Sequence, residues 1–213
     1  MNSFIFKLAA SVDNPKLLRL GEFVVHVKAA VSGETREFTF AGEDGYVRVL
    51  GNGNFLAPVV SGVIGAYGNE VAIPTTRTGR TVAFKEGEYD IAVGNKYALK
   101  TINVFSASPS ISFIIEDLNE ILYSEQLIGV ECAYSKTNTP FNIEALAKYK
   151  ASFKALSLAY FGDNITGSIN IFHDFSSNFK LLQLTNCINV TGSRSTLPSS
   201  LTTIGLTGTS VTD

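Results

Sequence analysis

The sequence predicts a mainly β chain in two parts: an N-terminal β-sandwich over residues 1–97, then a short irregular solenoid of about five rungs over residues 98–213. Three observations carry this expectation. Short runs of alternating apolar and polar residues, broken by Gly, Asn and Asp, fill the first part. An apolar spacing at positions 1, 4 and 6 recurs through the second part at intervals of roughly 20–29 residues, the period of a stacked repeat. Between them Gly94-Asn95-Lys96-Tyr97 contains no Pro- or Ser-rich linker, so the first part is expected to pack directly on the end of the stack and cap it.

In the first part, Met1 to Ser11 reads as a strand, because it lacks the basic start and sustained apolar run of a signal peptide. Phe23, Val25 and Val27 then alternate with Val24, His26 and Lys28, and Phe38 and Phe40 with Glu37 and Thr39. A turn at Gly42-Glu43-Asp44-Gly45 leads into Tyr46, Val47 and Val49, and Gly51-Asn52-Gly53-Asn54 supplies another, since Gly and Asn tolerate positive φ. The stretch from Leu56 to Gly68 is apolar and glycine-rich with no clear period. It fits either a strand buried on both faces or a surface covered by another subunit, which makes Val59, Val60, Val63, Ile64 and Tyr67 candidate interface residues. Thr75 to Arg80 reads as an exposed turn, and Tyr89, Ile91 and Val93 share one face of a strand that follows Gly87. This Gly-x-Tyr-x-Ile-x-Val run resembles the late strand of immunoglobulin-like and PKD-like sandwich domains, which implies about seven strands.

In the second part, Phe179-x-x-Leu182-x-Leu184 with Cys187 at the ninth position is a leucine-rich-repeat signature. Copies begin at Leu99, Phe153 and Leu201, and a weaker one places Ile128 and Val130 after the polar Glu125. Taking Ile102, Ile128, Leu156, Leu182 and Ile204 as reference gives separations of 26, 28, 26 and 22 residues. The outward strand positions, Asn103, Phe105, Gly129, Glu131, Ser157, Ala159, Gln183, Thr185, Gly205 and Thr207, form a small polar surface whose one aromatic is Phe105. Phe105, Glu131, Gln183 and Thr185 are its candidate interaction residues. Return segments carry Phe113, Ile114 and Leu118, then Phe141, Ile143 and Leu146, then Ile169, Ile171 and Phe172. Asn142 opens a capped helix of two turns, and the return from Thr191 to Ser200, containing Pro198, is expected to be irregular. The trios Ile165-Thr166-Gly167, Val190-Thr191-Gly192 and Val211-Thr212-Asp213 read as corners, the last leaving its rung uncovered. Cys132 and Cys187 sit two rungs apart, roughly 10 Å at the usual strand spacing, so two free thiols are expected, with Cys187 inside.

Strands of Leu-x-Leu form followed by Val/Ile-Thr-Gly resemble the degenerate leucine-rich repeats of Bacteroidales surface proteins and of the phages that infect them. The resemblance covers residues 99–213 and departs from the standard pattern at the ninth positions, Ala107, Ala133, Phe161, Cys187 and Thr209, which lack the Asn ladder. It implies a virion structural protein: a capsid decoration, head-fibre or tail-associated component with other virion proteins as partners, homo-oligomeric, and with a host surface glycan or protein as a candidate further partner. A bacterial surface adhesin or carbohydrate-binding module is the alternative, and its location would be the cell surface.

Composition narrows the classes. A formal charge of -2, from 17 basic and 19 acidic residues, gives no electrostatic footprint for nucleic acid, and no run reaches the roughly 18 apolar residues of a membrane span. His26 and His173 are the only histidines and read as strand and loop residues. Glu116, Asp117 and Glu120 are the one carboxylate cluster that glycoside cleavage would use, and read more simply as a solvated face. The expectation is therefore a non-enzymatic protein without cofactor or metal.

Overall fold

The computed structural model describes residues 18–31, 33, 35–43, 45–50, 59–60, 63–64, 71–72, 81–84, 86–107 and 109–213; for residues 35, 37, 49, 59–60, 63–64, 71–72 and 81–83 it describes the backbone alone. The strand expected over Met1–Ser11 and the turns expected at 51–54 and 75–80 lie outside the described residues. The described chain is mainly β, its strands falling into three sheets, with short 3₁₀ segments between them.

Alternating apolar residues build the first sheet. Phe23–Ala29 buries Phe23, Val25, Val27 and Ala29, and lies between two antiparallel partners, Gly87–Gly94 and Ile111–Ile115. Tyr46–Leu50 and Val71–Ala72 extend the sheet beyond Gly87–Gly94, and Lys136–Thr137 extends it beyond Ile111–Ile115. Ile111–Ile115 corrects the sequence expectation, which made Phe113 and Ile114 part of a return segment. Ile111, Phe113 and Ile115 point inward at period two, so the segment satisfies its backbone by pairing as a strand.

The second sheet runs through both halves of the sequence. Its antiparallel portion holds Thr35–Gly42, Thr81–Ala83, Val59–Val60 and Val63–Ile64. Its parallel portion is a ladder of Leu99–Val104, Gly129–Glu131, Ala155–Ser157, Leu181–Gln183 and Thr203–Gly205. Leu99–Val104 belongs to both, pairing antiparallel with Thr35–Gly42 on one edge and parallel with Gly129–Glu131 on the other. The two sheets meet through aromatic edges: Phe38 of the second packs on Phe113 of the first at 5.4 Å, and both pack on Phe84.

The ladder register corrects one repeat. Ile102, Val130, Leu156, Leu182 and Ile204 stand side by side, so Val130, and not Ile128, is the reference residue of the second copy. Its first position is then Leu127, fully buried with Val130 and Cys132, in place of the polar Glu125. The same shift puts Ser135 at the ninth position. Its hydroxyl donates to the Val104 carbonyl, and Cys187 Sγ, at the ninth position two repeats on, donates to the Leu158 carbonyl at 3.1 Å. Both cysteines form no disulfide and Cys187 is inside, as expected; Cys132 is buried too, and burial pushes the Cys132 thiol up to about 12 and the Cys187 thiol to about 11.

The trios read as corners are instead strands. Phe141–Asn142, Ile165–Ser168, Asn189–Ser193 and Ser210–Thr212 form the third sheet, all parallel. Ile165 and Val190 are buried from it, and β-branched Ile, Val and Thr favour the extended backbone. After three of these strands, and after Glu116, comes a 3₁₀ segment: Leu118–Tyr123, Ile143–Tyr149, Ile169–Asp174 and Arg194–Thr196. The last of these supplies the order that the return from Thr191 to Ser200 was expected to lack. Each opens on a short polar cap, Asp117, Asn142, Ser168 or Ser193, whose side-chain oxygen accepts the N–H two residues on. Gly192 lies inside the third-sheet strand Asn189–Ser193, next to the Ser193 cap, at φ 115°, and an added Cβ would sit 2.8–2.9 Å from Asn170 Oδ1, Ile169 Cγ1 and Ser168 Oγ. Gly192→Ala is therefore expected to cost roughly 1–3 kcal/mol, read as a lowered urea midpoint with unchanged slope. An unaltered midpoint would refute the close approach.

Ladder, third sheet and 3₁₀ segments enclose one core that is continuous with the core of the antiparallel sheets, from Phe23 to Val190. Among the described residues no helix is long and apolar enough to cross a membrane.

Candidate functional site

The parallel ladder creates a distinct corner where each strand ends. There the main-chain N–H of Tyr134 donates to the Ala159 carbonyl, that of Tyr160 to Thr185, and that of Asn186 to Thr207. Each residue making this bond as the chain turns out of the ladder lies in the left-handed region, with φ 62° at Tyr134, 69° at Tyr160 and 62° at Asn186, and Gly208 at the equivalent position has φ 73°. Asn and Gly are at home in that conformation, whereas a tyrosine pays roughly 1–2 kcal/mol.

The two tyrosines lie next to each other. Their rings stack at 4.3 Å with an interplanar angle of 14°, and Phe105 packs its edge against Tyr134 at 5.6 Å and 84°. All three are exposed: Phe105 by 37%, Tyr134 by 42% and Tyr160 by 43%. The neighbouring Tyr160 hydroxyl is the leading cause that raises the Tyr134 hydroxyl above its ordinary range. An aromatic pair adds about 0.5–1.5 kcal/mol beyond its burial, less than the roughly 2–4 kcal/mol that two left-handed tyrosines cost. The chain thus holds an outward aromatic strip against its own conformational preference, a pattern found at contact sites.

Of the residues singled out from sequence, Phe105 belongs to this strip. Glu131 and Gln183 lie on the ladder strands, level with one another across Ser157, whose hydroxyl donates to Gln183 Oε1 at 3.1 Å. Thr185 is half-buried, and its carbonyl receives the Tyr160 N–H. Asn103, Gly129, Ser157 and Ala159, expected to face outward, are buried. Val59, Val60, Val63 and Ile64 pair as short strands, but their side chains, and Tyr67 altogether, lie outside the described residues, as does the choice between core and interface for 56–68. Tyr134 and Tyr160 were missed. Their signal was an Ala-Tyr dipeptide, Ala133-Tyr134 and Ala159-Tyr160, recurring at the 26-residue period.

No family model, curated protein or solved structure matches the chain. The chemistry of its titratable groups is accordingly read from their own partners.

The three clustered carboxylates do not converge. Asp117 caps Leu118–Tyr123 and accepts from Asn119 and Thr139; burial works to raise its pKa, but these hydrogen bonds and the Lys96 charge outweigh it and hold the group below the usual range. Glu120 pairs with Lys96, whose ammonium also lies 4.3 Å from the centre of the Tyr123 ring. Glu116 stands 3.8 Å from His26 Nε2. His173 bonds the adjacent Asp174 at an exposed corner.

Proposed function

We propose that this chain is a non-enzymatic structural protein of a bacteriophage virion, a capsid decoration, head-fibre or tail-associated component, and that it joins other virion proteins or its own copies through the corner of Phe105, Tyr134 and Tyr160. In this reading residues 1–97 are a β-sandwich that docks and caps, and residues 98–213 a leucine-rich-repeat-like solenoid that presents the corner. The shared strand Leu99–Val104 supports a rigid connection between them, as an assembly component requires.

The strained aromatic strip is the observation that carries the reading. It also favours a protein partner over a glycan. A sugar ring is bound against an open aromatic face, but the facing surfaces of Tyr134 and Tyr160 cover each other, and Phe105 packs on Tyr134. What the strip offers outward is tyrosine ring and hydroxyl together, the amphipathic surface that makes tyrosine frequent at protein interfaces.

Tyr134→Asn and Tyr160→Asn separate docking from folding, because Asn186 already occupies the equivalent corner. Each variant is expected to keep or slightly raise the melting temperature while weakening association with particles by about 2 kcal/mol, roughly thirtyfold. Cosedimentation of the full chain with purified virions measures this. Recovery of the chain in the cell-envelope fraction, together with saturable binding on a glycan array, would replace the virion reading with that of a bacterial surface adhesin.

A further inference from the structure

The stacked tyrosines of the corner are also placed to react with one another. Tyr134 and Tyr160 occupy equivalent turns of neighbouring repeats, both exposed, with their rings nearly parallel at 14° and 4.3 Å between centres. A ring that gives up an electron is left with positive charge, which the electron-rich face of a stacked neighbour stabilises. Stacking therefore eases oxidation of this pair. It also holds side by side the ring carbons next to the two hydroxyls, where a tyrosyl radical carries much of its unpaired spin. A second exposed pair in the chain differs on each count. Tyr97 and Tyr123 meet edge-on, at 6.1 Å and 76°, and the Lys96 ammonium 4.3 Å from the centre of the Tyr123 ring opposes further positive charge there.

We propose that Tyr134 and Tyr160 form an intramolecular dityrosine cross-link when a haem peroxidase oxidises them with hydrogen peroxide. Each phenol loses one electron and one proton, and the two radicals join through a carbon ortho to each oxygen. The hydrogen on each joined carbon then moves, as a proton, to the oxygen and restores the phenol. The two electrons and two protons released reduce one peroxide to two waters. The new bond joins residues 26 positions apart and staples neighbouring repeats together, a covalent tie that the unpaired Cys132 and Cys187 do not supply. Coupling needs only the ring geometry and no docking partner, so it can fail or succeed independently of the docking role.

The test treats dilute full chain with a haem peroxidase and hydrogen peroxide, beside N-acetyltyrosine amide, whose coupling shows that the oxidant is active. The expected product is a monomer lighter by two hydrogen atoms, with the blue fluorescence of dityrosine and a digest in which the peptide holding Tyr134 is joined to the one holding Tyr160. Tyr134→Phe and Tyr160→Phe keep the ring but have no phenol to couple, and each is expected to lose the linked product. A link between Tyr97 and Tyr123 in its place, dityrosine found only in covalent dimers, an equal yield from Tyr160→Phe, or no dityrosine while N-acetyltyrosine amide couples overturns the proposal.

Discussion

Replacing Glu22 with Gln is expected to destabilise the protein by roughly 3–5 kcal/mol, because it removes the carboxylate charge that faces a buried guanidinium. Glu22 and Arg48 form a two-pronged pair at 2.7 and 2.6 Å, with side chains 0% and 3% exposed. The Tyr46 hydroxyl and the Arg19 main-chain N–H also donate to the same carboxylate. Gln keeps the shape but removes the charge that compensates Arg48. Burial alone would raise the Glu22 pKa; the hydrogen bonds from Arg48, Arg19 and Tyr46, with the Arg48 charge, outweigh it and hold the group below its ordinary 4.5. A carboxylate lowered by folding stabilises fully above its unfolded pKa, and that contribution is lost as pH falls through the lowered folded value. Urea unfolding at pH 7 and at pH 3 therefore separates the variants: the natural chain loses this increment on acidification, and Glu22→Gln has none to lose. An equal acid loss in both would show that Glu22 is not the linked group. The paired change Glu22→Leu with Arg48→Met is expected to cost less than either single change, since it removes both charges together.

Phe179→Ala is expected to cost about 3–5 kcal/mol and to weaken the whole second half of the chain. Phe179 is fully buried at the first position of its repeat. Its ring lies 6.0 Å from Phe153, 5.1 Å from Phe172 and 5.3 Å from Phe175, so it links neighbouring repeats with a 3₁₀ return. Removing it opens a cavity where three aromatic rings lose a partner, and the ladder strands on either side cannot close it without breaking their register. Phe179→Leu, which keeps most of the volume, is expected to recover more than half of the loss. Thermal unfolding decides the matter: a melting temperature within 2–3 °C of the natural chain for Phe179→Ala would place the ring outside the load path of the core.

The repeat was legible because its signal is local. Leu99, Phe153, Phe179 and Leu201 mark first positions through spacing alone, and the strands they introduce pair in the expected order. The second repeat was misplaced by two residues because both Ile128 and Val130 satisfy an apolar pattern. Only the pairing of Val130 with Ile102 and Leu156 chooses between them. Ile111–Ile115 likewise has an apolar pattern that serves a return segment or a strand, and its partner Phe23–Ala29 lies more than eighty residues away. The aromatic corner was legible in principle, since the Ala-Tyr pair recurs at the repeat period, but its strain and stacking follow from the left-handed turn.

By itself, the sequence determined the mainly β character, the repeat period, most of the apolar reference positions of the repeats and the two free thiols. Each depends on side-chain polarity and periodicity, properties that a residue carries wherever it is placed. Tertiary structure alone decided that Leu99–Val104 joins two kinds of pairing, that the Thr-Gly trios form a third sheet, and that Tyr134 stacks on Tyr160. Those outcomes are set by pairings between residues 19 to 66 positions apart, and no local preference encodes which distant backbone will satisfy them.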